Sequence, residues 1–159
     1  MKKTRLTCLV ALIAGCGAAD GAPPDNGVHI IRGADDGTPR IDLTIAGEGL
    51  DLPTGTTAII QLGTPSHEGE RLGHAVVDVD AGAFSVTFPK VCESGSYKQK
   101  TVLFDLDDDG ICDDGEPVLT DTDAVDGGPT VVVRAPSDGA WGDFLVGTCA
   151  DFVADWPTE

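Results

Sequence analysis

The chain is poor in aromatic residues and in cations. Phe, Trp and Tyr make up 5% of its 159 residues, and 10 Lys plus Arg stand against 27 Asp plus Glu, a formal charge of −17. So few cations set nucleic acid aside as a partner, because binding it depends on neutralising phosphates with Lys and Arg. The sequence also lacks a G-x-S-x-G elbow, a phosphate loop, an H-E-x-x-H run and any CxxC pair. No recognised nucleophile, nucleotide cradle, zinc protease site or thiolate metal site is therefore spelled out, and the chain reads as non-enzymatic. His29, His67 and His74 have no metal-ligand spacing, and Ser66, His67 and Glu68 are adjacent in sequence, which prevents the facing geometry of a catalytic triad.

Long apolar runs and amphipathic helices are missing as well. Beyond the first 15 residues no ten-residue helical pattern occurs, while 21 glycines and 10 prolines favour short elements joined by turns. From about Pro39 the pattern has period two. Ile41, Leu43 and Ile45 alternate with Asp42 and Thr44, and Phe84, Val86 and Phe88 alternate with Ser85 and Thr87, so each run has one buried and one wet face. Further strands are expected at 56–62, 71–79, 98–105, 130–135 and 143–148. Asp80, Ala81 and Gly82 predict a hairpin between 71–79 and 83–88, with Gly82 free to take the left-handed backbone conformation. Together these elements predict an all-β fold, an antiparallel β-sandwich of about seven to eight strands over residues 39–159. The Gly-Ala-Phe-Ser-Val run from Gly82 to Val86 and the later Ser96, Tyr97 and Lys98 resemble the transthyretin-like and immunoglobulin-like sandwiches of bacterial surface proteins.

The N-terminus reads as an address. Lys2, Lys3 and Arg5 precede an apolar run from Leu6 to Ala14 that is too short to span a bilayer, the order of a secretory signal. Leu12, Ile13, Ala14, Gly15 and Cys16 resemble the lipobox of bacterial lipoproteins, which implies cleavage after residue 15 and lipid on Cys16. Ordinary cleavage after Ala19, which follows the small residues Gly17 and Ala18, is the alternative. Under the lipobox reading the mature chain is held at the cell envelope by its acyl chains, and Gly17 after the cysteine favours an outer membrane. Residues 16–38, rich in Gly, Ala, Pro and Asp, read as a flexible tether.

The stretch with the most chemistry is Asp105 to Glu116. Its sequence, DLDDDGICDDGE, fits the loop pattern D-x-D-x-D-G with an acid at the twelfth place. Calcium takes six to eight oxygens, and this spacing can offer the carboxylates of Asp105, Asp107 and Asp109, the Ile111 carbonyl, a water held by Asp113, and both oxygens of Glu116. Gly110 allows the sharp turn. Residue by residue the run resembles an EF-hand loop. Its setting differs: residues 100–104 read as a strand and not as an incoming helix, and Pro117 draws Glu116 toward an extended backbone. Glu116 is thus the least secure ligand, and Asp114, Asp121, Asp123 or Asp126 could take its place. The resemblance implies a structural calcium ion bound with the affinity of extracellular modules, about 0.1–1 mM.

With Cys8 in the leader and Cys16 lipidated, Cys92, Cys112 and Cys149 remain, so one disulfide and one leftover thiol are expected outside the cytoplasm. Cys149 is expected as one partner; the choice between Cys92 and Cys112 stays open. The leading reading is an envelope-anchored structural or interaction module with a calcium site, its partner protein or glycan unidentified. The alternative is a carbohydrate- or peptide-binding module in which Trp141, Trp156 and Tyr97 offer a stacking platform.

Overall fold

A computed structural model describes residues 27–31, 37–63, 71–125, 130–135 and 141–152. The fold is all β, and no α-helix occurs among the described residues. Eleven strands run in chain order: β1 (Val28–Ile30), β2 (Ile41–Glu48), β3 (Thr57–Gly63), β4 (Arg71–Asp78), β5 (Phe84–Cys92), β6 (Ser96–Tyr97), β7 (Gln99–Asp105), β8 (Val118–Asp121), β9 (Ala124–Val125), β10 (Thr130–Arg134) and β11 (Leu145–Val146). Six form one sheet in the order β1-β4-β3-β7-β8-β11, three form a second in the order β10-β2-β5, and β6 pairs with β9.

The two larger sheets close on a shared core. Leu43, Ile45, Val86, Phe88 and Val133 from the smaller sheet meet Ala58, Ile60, Leu62, Val102, Phe104 and Leu119 from the larger one. Period-two alternation puts these residues on the inner faces and leaves Thr44 and Thr87, whose hydroxyls share a hydrogen bond of 2.9 Å, on the outside.

The sandwich expectation holds, with four revisions. Val28–Ile30 lies in the stretch expected to be tether, yet it is a strand: its register pairs Val28, His29 and Ile30 with Ala75, His74 and Gly73 of β4. The expected hairpin at Asp80–Gly82 is a turn between sheets. Asp80 and Ala83 exchange two backbone hydrogen bonds of 2.9 Å, with Ala81 and Gly82 both at positive φ, but beyond that single bridge β4 joins the larger sheet and β5 the smaller. The sandwich is not purely antiparallel, because β10 runs parallel to β2. This pairing is open to β10 because the chain reaches the free edge of β2 only after a long excursion through the other sheet. The strand expected at 143–148 contracts to Leu145–Val146, since Gly147 and Thr148 lead into a 3-10 turn at Cys149–Asp151.

The larger sheet has a second, smaller core on its outer face. Val76, Ile59, Leu103 and Val118 are direct cross-strand neighbours, a continuous apolar row over β4, β3, β7 and β8. All four are buried, and Phe152 and Cys112 pack against them. On the loop side of this row lie Asp78, Thr57 and Asp105, in register with one another. The row thus ends where the acidic loop begins.

Candidate metal centre

Asp105 is the last residue of β7, 1% exposed, and its outward-facing position aims the carboxylate into the loop that follows. Burying a charge there requires full hydrogen bonding. The loop supplies it: Oδ1 accepts from the Asp108 amide at 2.7 Å and Oδ2 from the Gly110 amide at 2.8 Å. Asp109 Oδ1 accepts from the Ile111 amide at 2.8 Å. Asp108 and Gly110 both take positive φ, 61° and 76°, which turns the chain around the buried carboxylate. Asp108 Oδ1 is in turn tied to β3 by the Thr57 hydroxyl at 3.0 Å.

This winding brings together three of the residues expected as ligands. Asp105, Asp107 and Asp109 each present an oxygen within 4.8 Å of the others. The donor set suits a hard divalent cation, since carboxylate oxygens are the ligands calcium and magnesium prefer. The cost of gathering them falls on Asp107, whose carboxyl is held above its ordinary range by desolvation and by the charges of Asp109, Asp105 and Asp113.

Glu116 closes the loop from its far end. Its Oε1 accepts from the Leu106 amide at 2.6 Å and its Oε2 from the Asp113 amide at 3.1 Å, so the carboxylate bridges the first and last parts of the loop through backbone amides and stands outside the group of three. Asp113 and Ile111 are exposed on the same loop. The Pro117 carbonyl accepts from the Phe104 amide at 2.9 Å as the chain enters β8.

Asp121, a candidate replacement for Glu116, is committed elsewhere. It lies opposite Lys100 in the β7–β8 register, with Nζ and Oδ2 2.7 Å apart and both side chains buried. Lys100 Nζ also donates to the Asp123 carbonyl, and the Asp123 amide donates to Asp121 Oδ1. Asp114 and Asp123 are exposed. Asp126 lies outside the described residues, as do Cys8, Cys16, Ser66, His67, Glu68 and Trp156.

One bond bears on the loop that the spacing left undecided. Cys112 is joined to Cys149, and Cys92 is the buried free thiol. The bridge ties the eighth loop position to the segment after β11. Trp141, a candidate for sugar stacking, instead lies against Phe104 with ring centroids 5.9 Å apart, half-buried over the main core. No helix among the described residues is long and apolar enough to cross a membrane. No family model, curated protein or solved structure matches the chain.

Proposed function

We propose that this chain is an envelope-anchored lipoprotein whose β-sandwich serves as a non-enzymatic structural or interaction module, with a structural calcium site in the loop from Asp105 to Glu116. The observation that carries the metal reading is the convergence of Asp105, Asp107 and Asp109 within 4.8 Å on a loop already wound by backbone hydrogen bonds to Asp105, Asp109 and Glu116. A cation there offsets the desolvation and the neighbouring carboxylate charges that lift Asp107, and fixes the exit of β7, a strand at the centre of the larger sheet. The Ile111 carbonyl and a water on Asp113 complete the oxygen set, and Glu116 contributes by holding the two ends of the loop together. Because the loop leaves a strand and not a helix, the ion has no helix pair to open, and its role is stabilisation and not signalling.

The anchor rests on the lipobox at Leu12–Cys16 and on the basic, then apolar, leader before it. A carbohydrate-binding role draws little from Trp141, whose ring is packed on Phe104. Calorimetric titration of the full chain with calcium tests the site. One ion per chain with a dissociation constant of about 0.1–1 mM, lost when Asp105 and Asp109 are both changed to Ala, is the expected result. A flat titration at several millimolar calcium overturns the metal reading. Labelling of expressing cells with a radioactive or clickable fatty acid, with Cys16→Ser as control, tests the anchor; equal label on both forms overturns it.

A further inference from the structure

We propose that the Cys112–Cys149 disulfide is a redox latch that holds a C-terminal strap, Gly147 to Phe152, over the outer apolar row of the larger sheet. Val76, Ile59, Leu103 and Val118 form this row on the face turned away from the sandwich core, where a sheet ordinarily meets solvent. Among the described residues it is covered by Phe152 from the strap and Cys112 from the loop, and the disulfide joins Cys112 to Cys149, three residues before Phe152.

Apart from the packing of Phe152 on the row, few hydrogen bonds among the described residues fasten the strap. The Thr148 amide and hydroxyl contact Asp151 Oδ2, and the Asp151 and Phe152 amides donate to Thr148 and Cys149, so these bonds stay inside the strap. To the body it is held by the Gly147 amide on the Val118 carbonyl at 2.7 Å, by a long contact of 3.5 Å from the Thr101 hydroxyl to the Asp151 carbonyl, and by the two-residue strand β11. The bond itself is accessible: Cys149 is exposed and Cys112 half-buried against the row. Exposed disulfides are the ones that exchange readily with dithiols.

The chemistry needs a dithiol reductant. One of its thiolates attacks the Cys149 sulfur and expels Cys112 as a thiolate, which takes a proton from water. The second thiol then displaces Cys149, leaving two protein thiols and an oxidised dithiol. The strap is freed and the apolar row opens, while the sandwich core, which contains neither cysteine of the bond, keeps its packing.

Cys92 provides an internal control, because it is 2% exposed, packs in the main core and belongs to neither the strap nor the loop. The test is hydrogen exchange and cysteine alkylation, resolved by peptide, on the oxidised full chain with and without a dithiol and without denaturant. Reduction is expected to speed exchange at the Gly147, Asp151 and Phe152 amides by at least about 100-fold, with Cys112 and Cys149 alkylated, Cys92 protected, and β2 and β5 unchanged. Binding of an apolar-surface dye should rise on reduction, and Phe152→Ala should raise it in the oxidised protein without any dithiol. Unchanged strap exchange after complete reduction overturns the latch. Alkylation of Cys92 in step with Cys112 and Cys149 also overturns it, since the bond would then be a staple for the whole domain.

Discussion

Lys100 and Asp121 face each other across β7 and β8 with 2.7 Å between Nζ and Oδ2, both almost fully buried. A buried pair of this kind is costly to break from one side, because the remaining charge is left desolvated. Lys100→Met is therefore expected to lower stability by about 3–5 kcal/mol, read as a fall in the urea midpoint. The double change Lys100→Met with Asp121→Leu should recover much of that loss, because two apolar side chains leave no stranded charge. A single change costing less than about 1 kcal/mol would contradict the pairing.

His74 sits on the outer face of β4 opposite His29 of β1, their ring centroids 6.4 Å apart. Burial first, and then the neighbouring His29, lower its pKa from 6.5 to about 4. For a base whose folded pKa lies below its unfolded value, the unfolded chain binds the proton more readily between the two. Stability from this site is therefore complete above about pH 6.5 and declines as pH falls toward 4. The decline should be about 2 kcal/mol. Denaturant melts across this window on the wild type and on His74→Gln provide the check; the variant should show a flatter profile.

Asp107, one of the three converging carboxylates, is held above its ordinary range by desolvation first and then by the charges of Asp109, Asp105 and Asp113. Asp107→Asn is expected to raise the thermal midpoint in EGTA and at the same time to shrink the rise that calcium brings. The two effects have opposite signs and separate a metal ligand from a solvated acidic turn. A variant that loses stability in EGTA and keeps the full calcium response would show that Asp107 faces away from the ion.

Much of the architecture was legible because it is written in period two. Ile41, Leu43 and Ile45, and Phe84, Val86 and Phe88, alternate as half-buried strands must, and these runs appear in β2 and β5. The loop was legible for a different reason: a fixed spacing of acids around Gly110 is a local code, and Asp105, Asp107 and Asp109 converge as that code implies. What escaped is non-local. Asp80–Gly82 encode a reversal, but whether its two arms stay paired depends on which sheet each arm's apolar face completes. Val28, His29 and Ile30 are too few to show a period, and only the edge of β4 makes them a strand. Asp121 looked like any acid near the loop until the register placed Lys100 opposite it. Choosing Cys112 over Cys92 likewise required knowing that the loop folds back onto the outer face beside the strap.

The disulfide spans a sequence separation of 37 residues, and one of its cysteines, Cys112, is the eighth position of the acidic loop. Calcium stabilisation is best measured with this bond intact, so that the two contributions stay separate.

The most direct measurement of the central claim is the thermal midpoint of the oxidised protein in EGTA, in 10 mM calcium and in 10 mM magnesium, beside the Asp105→Ala, Asp109→Ala double variant. For a dissociation constant of about 0.1–1 mM, linkage predicts about 1.4–2.7 kcal/mol of added stability in calcium, a rise of roughly 5–10 °C. Magnesium should give less, and the variant should give none. An equal midpoint in EGTA and calcium, or a calcium rise that survives in the variant, would contradict a structural calcium site in the Asp105–Glu116 loop.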